Sequence, residues 1–245
     1  MMTITRLFVS TSILAVFLFT GAVTSQHEGH GKVQDTAKAE PRVGDAYPFD
    51  TCPISGKKLG AMGDPVVKLY DGREVRYCCG GCTGKFEKDL PASLAKLDEK
   101  VIKDQMALYP LKTSVVTGKD LPDQPMDFAF GNRLIRVGSE KEKVEFQKSS
   151  AKFLALLDAA VIAEQGKAYA LTACPASGEE YGGDMGKPVD LVVAGRLVRL
   201  CCKDCKKDVE KDPAKFIAKV DAARKDGKEE HDHKDGKEHK PHGGK

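Results

Sequence analysis

The sequence predicts an α+β protein made of three tandem small modules, and three observations support this prediction. The chain repeats itself with a period of about sixty residues. Each copy contains two short strand-like stretches around a tight-turn dipeptide. Each copy then continues into a stretch in which apolar residues recur at helical spacing. The aligned copies are Tyr47 to Gln105, Tyr109 to Gln165 and Tyr169 to Arg224.

The first half of each copy is expected to be a β-hairpin. In the first copy, Val66 to Tyr70 and Arg73 to Tyr77 flank Asp71-Gly72, which suits a two-residue turn. Gly131-Asn132 and Ala194-Gly195 occupy the equivalent places in the other copies. Because strand arginines mostly face solvent, four of them are expected to be exposed: Arg73, Arg76, Arg196 and Arg199.

The second half of each copy is expected to be helical. In the first copy Leu94, Leu97 and Val101 keep helical spacing, and the second copy repeats this pattern. In the third copy Asp212 is a suitable N-cap, and Pro213 suits the first helical position. The sequences Cys78 to Cys82 and Cys201 to Cys205 follow the second predicted strand of their copies, so these cysteine clusters lie where a strand passes into a helix.

These patterns divide the chain into six segments. They are residues 1–25, a signal peptide; 26–45, a disordered linker containing histidines; 46–105, module 1 with four cysteines; 106–166, a degenerate module 2 without cysteines; 167–224, module 3 with four cysteines; and 225–245, a disordered tail rich in histidine.

The first segment has the composition of an export signal. Arg6 precedes an apolar run from Leu7 to Phe19, and small residues follow where a signal peptidase cleaves. A membrane anchor is the alternative, but the run is short for a bilayer-spanning helix. We therefore expect an exported protein, periplasmic or secreted, with no membrane span after cleavage.

Charge and composition exclude some classes of function. The 39 basic and 36 acidic residues give a net charge of +3, which does not indicate a nucleic-acid partner. No Ser-His-Asp set, catalytic carboxylate pair or phosphate-binding loop stands out, and the repeats contain no histidine. The chain is therefore not expected to be an enzyme.

The eight cysteines form two equivalent sets of four. Each set combines a Cys-Cys-x-x-Cys cluster with a lone upstream cysteine in the pattern Cys-Pro-x-Ser-Gly. Thiolates are soft ligands, and such an arrangement is typical of a site for zinc or copper(I). The predicted metal ligands are Cys52, Cys78, Cys79 and Cys82 in the first set, and Cys174, Cys201, Cys202 and Cys205 in the second.

The middle copy lacks this site. Ser114, Gly138, Ser139 and Glu142 stand where the flanking copies have cysteines. A small module without a metal needs another source of stability. Four of the seven phenylalanines that follow the signal lie in this copy, so we expect aromatic packing to replace the metal: Phe128, Phe130, Phe146 and Phe153.

All six histidines lie in the two segments that flank the repeats. Imidazole binds copper, zinc and nickel, and flexible histidine-rich tracts are weak metal traps. The alternative is a solvated charged tail in which the histidines have no role. The predicted auxiliary ligands are His27, His30, His231, His233, His239 and His242.

Disulfide bonding is the main rival to metal binding, because exported proteins with an even number of cysteines are often stapled by disulfides. Adjacent cysteines such as Cys78 and Cys79 rarely suit a bridge to each other, and a cluster of three facing one partner is typical of ligands. Metal binding is therefore favoured. A thiol oxidoreductase is less favoured still, because neither Cys-x-x-Cys lies in a βαβ context.

The order of motifs resembles the YHS and TRASH group of small heavy-metal-binding domains. Copies one and three carry the resemblance through Cys-Pro-x-Ser-Gly, the hairpin, Cys-Cys-x-x-Cys and the following helical stretch with Phe86 or Asp212-Pro213. Copy two matches only in its predicted hairpin and helical stretch, because it lacks the cysteines. The chain lacks the Tyr-His-Ser triplet, and Ser55 and Ser177 stand at the second position of the usual cysteine knuckle.

The resemblance implies treble-clef-like modules and a role in metal sensing, resistance or transfer. It also implies that the lone cysteine and a Cys-x-x-x-Cys pair are ligands, with Cys79 and Cys202 completing four-thiolate sites. The implied core ligands are Cys52, Cys78 and Cys82, and Cys174, Cys201 and Cys205.

We therefore expect an exported protein that sequesters a soft metal ion, copper or zinc, or hands it over to a metal transporter or acceptor protein. The alternative is a scaffold or protein-interaction module that zinc or disulfides staple together. Spacing alone does not distinguish a closed structural zinc site from a more open copper(I) site.

Overall fold

Six short strands pair into three antiparallel hairpins, which confirms the hairpin prediction. The computed structural model describes residues 41–182 and 186–234, with side chains up to residue 225. Each hairpin forms its own two-stranded sheet. The strands are β1 (Val66–Tyr70), β2 (Arg73–Tyr77), β3 (Met126–Phe130), β4 (Arg133–Val137), β5 (Val189–Val193) and β6 (Arg196–Leu200).

Two helices follow each hairpin, so the described chain is α+β. They are α1 (Gly80–Glu87), α2 (Leu90–Gln105), α3 (Glu140–Lys148), α4 (Ser150–Gln165), α5 (Cys205–Lys211) and α6 (Pro213–Lys234). Each hairpin with its two helices is called a unit below, numbered one to three along the chain. Helix α6 begins at Pro213 as predicted, but it continues beyond residue 224, where the tail was expected to start. None of the helices in the described ranges has the length and apolar character needed to cross a membrane.

Each unit has its own apolar core between the hairpin and its helices. In unit one, Tyr77 and Phe86 are fully buried with ring centroids 5.4 Å apart. In unit two, Phe146 occupies the corresponding place, and in unit three Leu200 and Val209 are buried together. The apolar face of the second strand therefore packs against the first helix in every unit, and the cysteine clusters lie at this junction.

Glutamine side chains at the ends of α2 and α4 connect consecutive units. The Gln105 amide donates to the carbonyl oxygen of Asn132 at 2.9 Å, and its oxygen accepts from the Leu134 N–H at 2.9 Å. Gln165 makes the equivalent two bonds to the third hairpin at 2.7 and 2.9 Å. Each helix thus satisfies buried backbone groups of the next hairpin, which links the units in series.

The segment before the first unit lies between the hairpins. The Asp45 carboxylate accepts hydrogen bonds from Arg133 Nε at 2.7 Å, from Arg133 Nη2 at 2.9 Å and from the Ala194 N–H at 2.5 Å. The Asp45 N–H donates to the Gly131 carbonyl at 2.7 Å. A Cβ atom at Gly131 would lie 2.2 Å from the Val43 carbonyl oxygen, so this close approach requires glycine. The end of the segment expected to be disordered, residues 43–45, is therefore ordered by contacts to all three hairpins, including a 2.8 Å bond from the Val43 N–H to the turn of the first hairpin.

Units one and three also contact each other. The Arg76 guanidinium donates to the Lys211 carbonyl at 2.5 Å and to the Glu210 carbonyl at 2.7 Å. These carbonyls lie at the carboxyl end of α5, where helical carbonyls lack partners within the helix. Arg196 on β6 forms an ion pair with Asp104 of α2 at 2.6 Å. The three units therefore pack together through these polar contacts and through an apolar cluster that joins α4 to the third hairpin.

The expectation that the strand arginines face solvent is wrong for three of the four. The side chains of Arg73, Arg76 and Arg196 are only 11%, 11% and 6% exposed. Arg73 pairs with Asp98 of α2, and Arg196 pairs equivalently with Asp221 of α6. An acidic side chain pairs with each guanidinium, and backbone carbonyls also accept from Arg76 and Arg196, although Nη2 of Arg73 is buried without a hydrogen-bond partner among the described residues.

Candidate metal centre

The lone cysteine of each set lies in a tight loop held by its own backbone. The Cys52 N–H donates to the Lys57 carbonyl at 2.8 Å, and the Gly56 N–H donates to the Cys52 carbonyl at 3.0 Å. Gly56 has a φ of +68°, a left-handed conformation that favours glycine. The loop around Cys174 has the same two bonds, both at 2.8 Å. The Cys-Pro-x-Ser-Gly pattern therefore produces one loop geometry twice.

The clustered cysteines lie between the second strand and the first helix of the unit. Cys78 directly follows β2, and Cys82 lies in the first turn of α1. The sulfurs of Cys52, Cys78 and Cys82 all lie within 4.8 Å of one another, and all three residues are buried. The loop and the helix start, which are distant in sequence, thus place three thiols together.

Unit three repeats this arrangement. The sulfurs of Cys174, Cys201 and Cys205 also lie within 4.8 Å of one another and are buried. Cys205 is the first residue of α5, and its sulfur lies 3.7 Å from that of Cys201. Two equivalent groups of three thiols, called the first and second triads below, are therefore present in the described chain.

The remaining cysteine of each set lies beside its triad and is only partly buried. Cys79 Sγ lies 3.9 Å from the sulfurs of both Cys78 and Cys82. Cys79 is nevertheless not part of the group whose three sulfurs all lie within 4.8 Å of one another. Cys202 Sγ lies 3.7 Å from that of Cys205. Cys79 and Cys202 have intermediate exposure, whereas the other six cysteines are buried. The structure thus groups each set of four predicted ligands as three buried thiols and one partly exposed thiol.

The thiol spacing fits a thiolate-bound metal ion. Four zinc–sulfur bonds of about 2.3 Å in a tetrahedron place neighbouring sulfurs about 3.8 Å apart. The Cys78–Cys82 and Cys201–Cys205 sulfur distances are both 3.7 Å. Sulfur donors suit zinc and copper(I) rather than calcium or magnesium. The eight cysteines all lie in described residues, and none of them forms a disulfide there.

Hydrogen bonding favours ionisation of the lone cysteine of each triad. Burial opposes a charge on the Cys52 thiol, but hydrogen bonds from the Ser55 hydroxyl and from nearby backbone N–H groups lower its pKa from 9.0 to about 6. The pKa of Cys174 is likewise lowered to about 6 against the effect of burial, through backbone N–H groups and the Ser177 hydroxyl. One thiolate per triad is therefore available near neutral pH.

The helix-start cysteine of each triad has the opposite tendency. Burial raises the pKa of Cys82 to about 12, and the neighbouring thiols add to this rise. Burial also raises the pKa of Cys205. Since several thiolates crowded together repel one another, a cation is needed for all three thiols to ionise.

Two serines contact the triads, and the sequence prediction did not assign them a role. Ser55 Oγ lies 3.2 Å from Cys78 Sγ, and Ser177 Oγ lies 3.3 Å from Cys201 Sγ. Each serine therefore contacts a thiol on the cluster while lying in the loop of the lone cysteine. The serine occurs in both Cys-Pro-x-Ser-Gly sequences, and this repetition is the sequence feature that indicates a role for it at the site.

In unit two, a carboxylate occupies the place of the thiols. Glu142 Oε2 accepts hydrogen bonds from the Ser114 hydroxyl at 2.6 Å and from the Gly138 N–H at 2.9 Å. The loop at Ser114 keeps the backbone bonds seen at Cys52, both at 2.8 Å. The sequence places Glu142 at the position equivalent to Cys82, but from this we predicted only that a cysteine ligand is missing there and not that the carboxylate takes its place.

The aromatic packing expected in unit two is also present. The ring centroid of Phe146 lies 5.6 Å from Phe128, 5.2 Å from Phe130 and 5.9 Å from Phe153. Unit two therefore combines a hydrogen-bonded carboxylate at a thiol position with a cluster of four aromatic rings in its core.

The predicted auxiliary histidines are not placed near the triads by any described contact. His231 and His233 lie on α6 where only the backbone is described. His27, His30, His239 and His242, like the proposed signal peptide, lie outside the described residues.

Comparison of the chain with protein-family models, with curated proteins and with solved structures found no match.

Proposed function

We propose that the protein binds soft metal ions, zinc or copper(I), through its two cysteine triads and stores them or hands them over to an acceptor. The observation that carries this proposal is the twofold convergence of three buried thiols within 4.8 Å from distant segments of the chain. Buried thiols that crowd together without a cation are costly to ionise, whereas a bound cation stabilises them.

Unit two supports exchange rather than a purely structural metal. It forms the same hairpin, loop and two helices as its neighbours, although Ser114 and Glu142 replace two of the cysteines. A unit of this type therefore does not need a metal to adopt its fold. If units one and three behave similarly, they release a metal ion without unfolding, which a storage or transfer protein requires.

The wider features of the proposal come from the sequence. We propose that units one and three are treble-clef-like modules of the YHS and TRASH type, that the protein is exported to the periplasm or secreted, and that its role is not enzymatic. Its partner would be a metal transporter or acceptor protein. The histidines of the flanking segments would add weak capture of metal ions.

A second candidate function is a scaffold whose metal is structural. The sulfurs of the triads are part of the apolar cores of units one and three, together with residues such as Tyr77 and Val209. Loss of an ion from such a position would disturb the core as well as the site. This observation favours a metal that stabilises the fold, with the protein surface binding a partner.

Metal stoichiometry tests the primary proposal. The full chain, purified under anaerobic reducing conditions, is titrated with zinc and separately with copper(I), and native mass spectrometry counts the bound ions. Two ions per chain are expected, one for each triad. Cys52→Ser and Cys174→Ser should each remove one ion, whereas Ser114→Ala, a change in the equivalent loop of unit two, should remove none. Failure of the reduced protein to bind either metal would overturn the proposal.

Chelation separates the two candidate functions. A competing chelator is added to the loaded protein while metal release and circular dichroism are followed together. Release with unchanged secondary structure supports storage or transfer. Unfolding in step with release supports a structural metal and contradicts the exchange proposal.

A further inference from the structure

The partly exposed thiol of each set is paired with one particular buried thiol. Cys79 is the N-cap of α1, and Cys82 lies in the first turn of that helix three residues later. Their sulfurs lie 3.9 Å apart. In unit three the equivalent sulfurs, of Cys202 and Cys205, lie 3.7 Å apart. The same pairing of an accessible and a buried sulfur thus occurs twice.

The geometry of each pair permits a disulfide. Residues three apart within a helix have Cβ atoms about 5–6 Å apart. Cys79 has extended backbone and Cys202 precedes the N-cap of α5, so neither is fixed at that helical spacing. A disulfide requires a sulfur–sulfur bond of about 2.0 Å and Cβ atoms about 3.5–4.5 Å apart. Small side-chain rotations and a slight movement of the helix start close this gap. Cys79 precedes α1 with extended backbone, and its carbonyl accepts a hydrogen bond from the Cys82 N–H at 3.1 Å, so the backbone already holds the two residues close together.

Exposure selects which thiol reacts first. Cys78 and Cys82 also have sulfurs only 3.7 Å apart, but these residues are 4% and 6% exposed. An incoming disulfide must place a sulfur in line with the attacking thiolate and leave room for the mixed disulfide. Only the partly exposed thiol of each set, Cys79 or Cys202, offers that access.

We propose that Cys79–Cys82 and Cys202–Cys205 are thiol–disulfide exchange sites that react with a disulfide-containing oxidant and thereby control metal release. The consequence for the metal rests on the proposed function, whereas the exchange reaction itself does not. Closing either pair withdraws one of the three sulfurs of the triad, because Cys82 and Cys205 are triad members.

The reaction balances as two exchange steps. The Cys79 thiolate attacks one sulfur of the oxidant, forming a mixed disulfide and expelling the other sulfur as a thiolate. The Cys82 thiolate then attacks Cys79 Sγ, forming the internal disulfide and expelling the second thiolate. The two protein thiols lose two electrons, and one oxidant disulfide becomes two thiols. The metal ion loses the Cys82 sulfur and retains only Cys52 and Cys78 from the triad.

Unit two offers a matched control. Ser139 stands at the position of Cys79 and caps α3, with its hydroxyl accepting from the Glu142 N–H. Serine is therefore compatible with this position of the fold. Conversely, Ser139→Cys places a thiol at a helix start where Glu142, rather than cysteine, follows three residues later. This thiol has no internal partner.

The test uses the reduced full chain, with and without zinc, and oxidised glutathione as the probe. After reaction, free thiols are alkylated and the disulfides are located by fragmentation mass spectrometry. A chromogenic chelator reports zinc release. We expect Cys79–Cys82 and Cys202–Cys205 disulfides, formed in step with zinc release. The double variant Cys79→Ser/Cys202→Ser should release its bound zinc more slowly, by about tenfold or more. Ser139→Cys should carry only a glutathione mixed disulfide in unit two.

Three results would overturn this inference. The disulfides could map to other pairs, the double variant could release its zinc as fast as the unmodified chain, or zinc could remain bound after the pairs have closed. Absence of zinc binding to the reduced protein would instead overturn the proposed function. The disulfide map of the metal-free protein would still test the exchange sites in that case.

Discussion

Ser114 and Glu142 form a 2.6 Å hydrogen bond in unit two at the place where Cys52 and Cys82 face each other in unit one. The surrounding backbone is the same in both units, including the loop bonds that close on the lone residue. Unit two is therefore a natural reference for a unit of this fold that lacks thiols.

Restoring the thiols of unit two should create a third metal site. The variant Ser114→Cys/Gly138→Cys/Glu142→Cys places three sulfurs at the positions equivalent to the first triad. Because the loop and helix start already have the required geometry, we expect zinc stoichiometry to rise by one ion per chain above that of the two natural triads. Native mass spectrometry measures this. A folded triple variant with unchanged stoichiometry would show that backbone geometry is insufficient.

The Glu142 carboxylate should make the stability of the protein depend on acid pH. Hydrogen bonds from Ser114, and then from the Gly138 N–H, lower the pKa of Glu142 below its ordinary 4.5. A group with a lowered pKa in the folded state stabilises the fold above its unfolded pKa. This contribution is lost as the pH falls through the folded pKa. The thermal unfolding temperature should therefore fall less between pH 7 and pH 3 in Glu142→Gln than in the unmodified chain. An equal fall in the two proteins would contradict this assignment.

Removal of the Asp45 carboxylate should destabilise the packing between units two and three, which it joins. Arg133, whose side chain is 3% exposed, would keep only Asp158 as an acidic partner, and the Ala194 N–H would lose its acceptor. We expect Asp45→Ala to lower the free energy of unfolding by about 3 kcal/mol. Chemical denaturation measures this change. Asp64→Ala, at an exposed position, is the control and should change stability by less than about 0.5 kcal/mol.

The serines beside the triads should set the pH at which metal is lost. The pKa of Cys52 is about 6, so protons begin to compete with the metal at this thiol as the pH falls through that value. Ser55→Ala removes one hydrogen bond that lowers this pKa, and zinc should then be lost at a higher pH. The expected shift is roughly one pH unit or less.

A zinc-release titration against pH checks this shift. The second triad, with Ser177 intact, is the internal reference in the Ser55→Ala protein. Cys174→Ser in both backgrounds isolates the first triad for measurement. A midpoint that stays the same, or moves to lower pH, would show that the Ser55 hydroxyl does not stabilise the Cys52 thiolate.

Local sequence patterns determined the elements and the membership of the thiol sets. The Asp71-Gly72 turn, the helical spacing from Leu94 and the Asp212-Pro213 start all depend on interactions between residues close in sequence. The pairing of each lone cysteine with a cluster followed from repetition, because two copies of one fold bring equivalent residues together. These features required no knowledge of how the units pack.

Tertiary structure alone decided the packing and the exposure of individual thiols. Asp45 bonds Arg133 and Ala194, which lie 88 and 149 residues further along the chain, and no local periodicity encodes contacts at such separations. The same long-range packing buries Arg76 against the end of α5, where an exposed strand residue was expected. It also leaves Cys79 partly exposed while Cys78 is buried, a distinction between adjacent cysteines that depends on which groups of the folded chain cover each sulfur.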